Sequence, residues 1–145
     1  MKKMKKKCLL VHVIFFLIVS FSHVAIAENQ QIKVMDIETN AIVKQAEQSS
    51  KMDQYAISAI KGIQKVTVQA NPIPNKGYLI RIPLIKSYNV KNKWFDSLIT
   101  EIILIYDPST ENQGRLILYD DENTPMFFDI DYNFTDFLKT LDIGH

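Results

Sequence analysis

The sequence has few residues of the kinds that build disulfides, zinc sites and nucleophilic active sites. Its 145 residues include one cysteine, Cys8, and three histidines. Cys8, His12 and His23 lie within the first 27 residues, and His145 is the last residue. Beyond residue 27, a Ser-His-Asp triad, a cysteine nucleophile and a zinc site made of His or Cys are therefore excluded or left with one terminal ligand. We expect no cofactor, no tight zinc binding and no thiol chemistry.

Arginine is also scarce, and this bears on partners. Beyond residue 27 the only arginines are Arg81 and Arg115, and acidic side chains outnumber basic ones by 16 to 12. A nucleic-acid binder should present a basic face and a high pI. The sequence therefore argues against a nucleic-acid partner.

The first 27 residues have the three parts of a secretory signal peptide. Five lysines at positions 2, 3, 5, 6 and 7 precede an apolar stretch at 8–19, and Ala25-Ile26-Ala27 ends the segment. Small residues at that spacing predict cleavage between Ala27 and Glu28. An uncleaved membrane anchor is the alternative, because residues 21–27 are mostly apolar and could lengthen the span. Cys8 precedes the apolar stretch, which is the wrong order for a lipid-modified cysteine.

Cleavage would leave residues 28–145, the length of one ordinary domain. A small extracellular domain without disulfides is unusual, whereas a bacterial periplasmic protein often lacks them. Together with the lysine-rich start, this predicts a periplasmic or secreted bacterial protein with no membrane span after cleavage.

The hydrophobic pattern predicts an α+β domain. Residues 30–38 are typical of a short strand, and apolar residues recur at three- and four-residue steps from Asn40 to about Gly62, which predicts one long amphipathic helix. Strands are predicted in "KVTVQA" and over residues 78–88, 94–107, 115–120 and 126–132, with short polar connections typical of antiparallel hairpins. Pro83 predicts that its strand lies at an edge or bends at a bulge. Thr135 is expected to cap a short C-terminal helix.

We therefore expect one long helix packed against a twisted antiparallel sheet of about four to six strands. This order resembles that of the cystatin-like α+β rolls, whose sheets curl around one helix. The resemblance is one of topology and implies no function. The segments "QKVTVQANP" and "NKWF" do not match the two hairpins that protease-inhibiting cystatins insert into their targets.

Carboxylates at two places in the sequence are candidates for chemistry. Glu101 interrupts the apolar stretch "LITEIILIY", and a buried glutamate there could act as a general base, as on the curved sheets of the ketosteroid isomerase type. Asp129 and Asp131 share one strand face with Asn133 and could hold a divalent cation, but the glycine and glutamate that a calcium loop requires are replaced by Phe134 and Thr140. Outward-facing, solvated carboxylates are the alternative in both cases. "SAIK" at 58–61 fits a Ser-x-x-Lys pattern without the other elements of that enzyme class.

Aromatic residues suggest a surface for protein contacts. Trp94 and Phe95 stand in a predicted turn beside Lys91 and Lys93, and exposed aromatics beside cations often anchor a partner. We therefore expect a small exported, non-catalytic binding or inhibitor-like module whose partner is another envelope or secreted protein. It would act through a strand edge or the 89–95 turn. The alternative is a cone-shaped domain that binds a small ligand, or a simple enzyme, with a buried carboxylate between sheet and helix.

Overall fold

The computed structural model describes residues 30–110 and 112–144, so the signal-peptide prediction lies outside the described residues. No helix in the described part is long and apolar enough to cross a membrane. The described residues form seven strands and two helices. In chain order these are β1 (Gln31–Asp36), β2 (Ala41–Glu47), α1 (Ser50–Lys61), β3 (Ile63–Val66), β4 (Tyr78–Lys91), β5 (Asp96–Tyr106), β6 (Gln113–Tyr119), β7 (Pro125–Asp131) and α2 (Thr135–Leu141).

All seven strands belong to one antiparallel sheet in the order β2-β1-β4-β5-β6-β7-β3. Short connections join β1 to β2, and each strand from β4 to β7 to the next. Two longer connections cross the sheet. α1 carries the chain from one edge strand, β2, to the other, β3, and residues 67–77, here called the crossover segment, return it to β4 in the interior.

The predicted fold class was wrong, because the long helix at its centre does not form. Instead of one long helix on four to six strands, the described chain has seven strands and two short helices. Residues 41–47, predicted to be helical, pair with β1 as an edge strand. The strands predicted over residues 78–132 correspond to β4–β7, with shifts of a few residues at their ends.

Local hydrogen bonds explain why the helix begins ten residues later than predicted. The Asp36 carboxylate accepts hydrogen bonds from the backbone N–H and the hydroxyl of Thr39, at 2.8 and 2.9 Å. Asn40 then takes the left-handed conformation, with φ of 55°. Thr39 and Asn40 thus form a hairpin turn rather than a helix cap. Ser49 is the cap, since its side chain accepts from the Met52 N–H, and Gly62 ends the helix as predicted.

Of the two alternatives predicted for the strand that contains Pro83, an edge position or a bend at a bulge, the second is confirmed. β4 lies in the sheet interior, and its pairing with β5 shifts register between Pro83 and Tyr88. Because proline cannot donate to the ladder, an irregular stretch is where a central strand tolerates it.

The apolar core lies on the face of the sheet that carries both helices, here called the inner face. Met52, Ala56, Ala59 and Ile60 of α1 join α2 and inward-facing strand residues in one buried cluster. The strand residues in that cluster that are fully buried are Ile32, Val34, Ile80, Ile82, Ile102, Leu104, Leu116, Leu118 and Phe128. The space between α1 and the sheet is therefore filled by apolar side chains.

The crossover segment lies on the opposite face, here called the outer face. Leu116 and Leu118 point into the core, so Arg115 and Ile117 of the same strand point outward. The Arg115 guanidinium donates to the backbone carbonyl of Pro72 at 2.6 Å, which ties the crossover segment to β6.

Candidate functional site

The predicted aromatic turn is a tight hairpin between β4 and β5. The Asn92 side-chain oxygen accepts from the backbone N–H groups of Trp94 and Phe95, at 2.8 and 2.9 Å. The Asn92 N–H in turn donates to the Phe95 carbonyl at 2.9 Å. These bonds fix the direction of both aromatic side chains.

The two aromatic residues point to different environments, which corrects the expectation that both are exposed. Phe95 is 4% exposed and meets the Phe128 ring edge to face, with centroids 5.9 Å apart. Trp94 is half-buried against the core, and the Lys93 ammonium lies 4.2 Å from its ring centroid. Phe95 therefore anchors the hairpin and cannot contact a partner directly.

The two lysines at this turn are only partly available for contact with a partner protein, because each already has a neighbour within the turn. Lys91 lies 3.7 Å from the Asp96 carboxylate, and its side chain is largely exposed. Lys93 is exposed and covers one face of Trp94. The surface of the turn thus includes Lys91, Lys93 and a limited part of the indole.

Glu101 lies on the outer face and pairs with a cation. Its carboxylate accepts from Arg81 Nε at 2.9 Å and from the Arg81 terminal nitrogen. Its neighbour Ile102 faces the core with no exposed surface, so Glu101 does not point into the space between sheet and α1. The Glu101 carboxylate thus contacts a guanidinium on the outer face, whereas the general-base hypothesis needs an apolar surround.

The predicted alternation along β7 is confirmed. Phe128, Ile130 and Tyr132 are buried, while Asp129 is half-buried and Asp131 is exposed on the other face. The described residues contain no group of three or more His, Cys, Asp or Glu side chains placed to hold a metal ion.

Asp129 is instead bound by three other outer-face side chains. It accepts from the Thr67 hydroxyl at 2.8 Å, and its oxygens lie 3.5 Å from Arg115 Nε and 3.7 Å from Lys65 Nζ. These contacts join β3, β6 and β7 at one point. Asp129 is therefore a structural partner of two cations.

Next to Asp129, the outer face contains an open cleft of about 570 Å³. It is bounded by β3, the ends of β6 and β7, the turn between β5 and β6, and the start of the crossover segment. Its volume is within the range of small-molecule sites. The described residues that line it are Gln64, Lys65, Gln69, Ile105, Asp107, Thr110, Asn112, Gln113, Gly114, Arg115, Asp129, Ile130 and Asp131.

Arg115 organises the cleft. Besides Pro72 and Asp129, it donates to the Gln69 side-chain oxygen at 2.7 Å, so its guanidinium connects β7 and the crossover segment. Such planar, multiply bonded geometry suits arginine better than lysine. The guanidinium is thus committed to protein partners.

Asp131 and Asp129 both line the cleft, but they differ in their side-chain partners. Among the described residues, nothing pairs with the Asp131 carboxylate, and its side chain is exposed. Asp107 accepts from the Ser109 N–H and hydroxyl, at 2.9 and 2.6 Å, within the turn. The cleft therefore contains two cations that are paired and one carboxylate that is not.

The sequence pattern indicated Asp129 and Asp131 as site residues but did not indicate Arg115, Lys65, Gln69 or the crossover segment. One available signal was Arg115 itself, an arginine at the start of the apolar strand "RLILY". The partners of Arg115 come from residues more than ten positions away, and no local pattern brings them together.

No protein-family model, no curated protein and no solved structure matches this chain.

Proposed function

We propose that this chain is a small exported, non-catalytic binding module that acts through contacts with another envelope or secreted protein, with the outer-face cleft as its contact surface. The observation that supports this best is the cleft itself. It is open to solvent and lined by amide, hydroxyl and charged side chains from five parts of the chain. A set of hydrogen-bonding groups held on a rigid sheet is suited to recognition.

The contacts that the charged groups of the cleft already make favour binding over catalysis. A general base or nucleophile needs a reactive group within reach of a substrate and a partner that tunes its reactivity. In this cleft the half-buried carboxylate, Asp129, is already bound by Thr67, Arg115 and Lys65. Its interactions hold the sheet edge and the crossover segment in place, and they leave the exposed groups at the mouth to meet a partner.

The alternative with a buried carboxylate between sheet and helix has less support. The inner face is filled by the apolar cluster, and Glu101 lies on the outer face against Arg81. Export rests on the lysine start, the apolar stretch and Ala25-Ile26-Ala27.

Site-specific photo-cross-linking in intact cells would test the proposal. The reactive side chain replaces Gln113, an exposed cleft residue at the start of β6. The control position is Asp121, which is exposed in the turn after the other end of β6. We expect a discrete adduct with a second protein from position 113 and none from position 121. No adduct from 113, or equal adducts from both positions, would contradict the proposal.

A further inference from the structure

We infer that the cleft receives a basic side chain, lysine or arginine, presented by the partner polypeptide. This inference rests on the proposed function and adds the chemistry of the group that is recognised. Two features support it: the balance of charges in the cleft and the distribution of free acceptors.

The charge balance favours a cation. Lys65 and Arg115 face three carboxylates, Asp107, Asp129 and Asp131, so the described lining has one excess negative charge. Both cations lie within 4 Å of Asp129 and are partly neutralised by it. An anionic ligand would have to compete with Asp129 for them, whereas a cationic ligand finds Asp131 without a partner.

The uncharged polar groups are suited to the same ligand. The Gln64 amide nitrogen donates to the Gly62 carbonyl, which leaves its oxygen as an acceptor. Asn112 and Gln113 lie at the mouth and bring further side-chain carbonyl oxygens. An ammonium or guanidinium group has only donors, three or five of them, and needs several acceptors around it.

The test uses three blocked tripeptides that differ only at the central residue, which is arginine, citrulline or glutamate. Citrulline has nearly the shape of arginine and no charge. Each peptide is titrated into the protein spanning residues 28–145, and backbone amide shifts are followed by NMR. We expect the arginine peptide to shift the amides of Gln113, Gly114 and Asp131, with smaller effects from citrulline and the smallest from glutamate. The preference for arginine should weaken as salt is raised.

Matched variants assign the effect to the cleft. Asp131→Asn should weaken binding of the arginine peptide by about two- to fivefold, the range expected for an exposed charge pair. Asp121→Asn, which removes an equal charge at the other end of β6, should leave binding unchanged. Equal shifts from arginine and citrulline, a preference for glutamate, or no shifts from any peptide would overturn the inference. If cross-linking from position 113 succeeds while these titrations fail, the proposed function stands and the basic ligand does not.

Discussion

The two faces of the sheet differ in the interactions that stabilise them. On the inner face, α1 and α2 bury a continuous apolar cluster. On the outer face, the crossover segment is held by Arg115 and Asp129 through directed polar contacts, and beside these contacts the cleft is open. Apolar burial is non-directional and scales with area, whereas hydrogen bonds to charged groups depend on geometry. The inner face therefore contributes most of the stability, and the outer face is the surface that we propose for recognition.

The largest expected effect is on the inner face. Phe95→Ala removes an aromatic side chain that is 4% exposed and packs on Phe128. It should lower the free energy of unfolding by roughly 3–5 kcal/mol, as for other buried aromatics. Trp94→Ala, at the neighbouring half-buried position, should cost about 1–2 kcal/mol. Urea unfolding of both variants would measure the difference, and equal losses would show that the hairpin is packed differently.

Arg115→Leu tests the outer face. It removes the donors to Pro72, Gln69 and Asp129, and should cost about 2–3 kcal/mol because bonds to charged groups are lost. The crossover segment should also open, so trypsin should cleave faster after Lys76, which is exposed in that segment.

Arg81→Leu is the matched control for this variant. It breaks the ion pair with Glu101 on the same face without touching the crossover segment. We expect a smaller loss, about 0.5–1 kcal/mol, and unchanged cleavage at Lys76. Equal proteolysis of the two variants would mean that Arg115 does not hold the segment.

Gly114→Ala tests the packing at a residue that lines the cleft and also contacts the core residue Phe134. An added Cβ would lie 2.5 Å from the Phe134 ring, so that ring must move. We expect a loss of about 1–2 kcal/mol, as for overpacking elsewhere. A thermal melt that matches the parent protein would show that Phe134 moves aside at no cost.

Tyr132→Phe should have the smallest effect at neutral pH and the clearest effect at alkaline pH. The buried Tyr132 hydroxyl is without a partner among the described residues, so its removal should raise stability by up to about 1 kcal/mol. Burial, with a smaller contribution from Tyr55, raises the pKa of Tyr132 above its ordinary value of 10.0. A raised pKa in the folded state means that stability is full below pH 10 and falls as the pH rises above it.

Stability measured against pH would check this last prediction. The parent protein should lose stability above pH 10 more steeply than Tyr132→Phe does. Parallel curves for the two proteins would show that Tyr132 ionises as easily in the folded state as in the unfolded one.

The sequence predicted the parts of the fold that depend on local pattern. The alternation of Phe128 and Asp129 follows from the period of a strand, and Gly62, a residue of low helix propensity, ends α1. The error at 41–47 arose because Ile42 and Ala46 are four residues apart, a spacing that is typical of a helix but is also compatible with a strand. Pairing with β1, a contact outside the segment, decided between the two.

The cleft could not be predicted for a related reason. Its central contacts join Arg115 to Gln69 and Pro72, which are 46 and 43 residues away along the chain. Phe95 was placed on the surface because it adjoins a lysine-flanked turn, but the Asn92 hydrogen bonds direct it inward. Contacts between distant residues are set by topology, which the local pattern does not contain.

The most direct test of the account compares cross-linking from the cleft with cross-linking from the hairpin turn that the sequence favoured. The photoreactive side chain is placed at Gln113 in one variant and at Lys93 in the other, both exposed positions. We predict that the adduct with a partner protein forms from position 113 and is weak or absent from position 93. A strong adduct from position 93 with none from 113 would contradict the account and place recognition at the Trp94 turn.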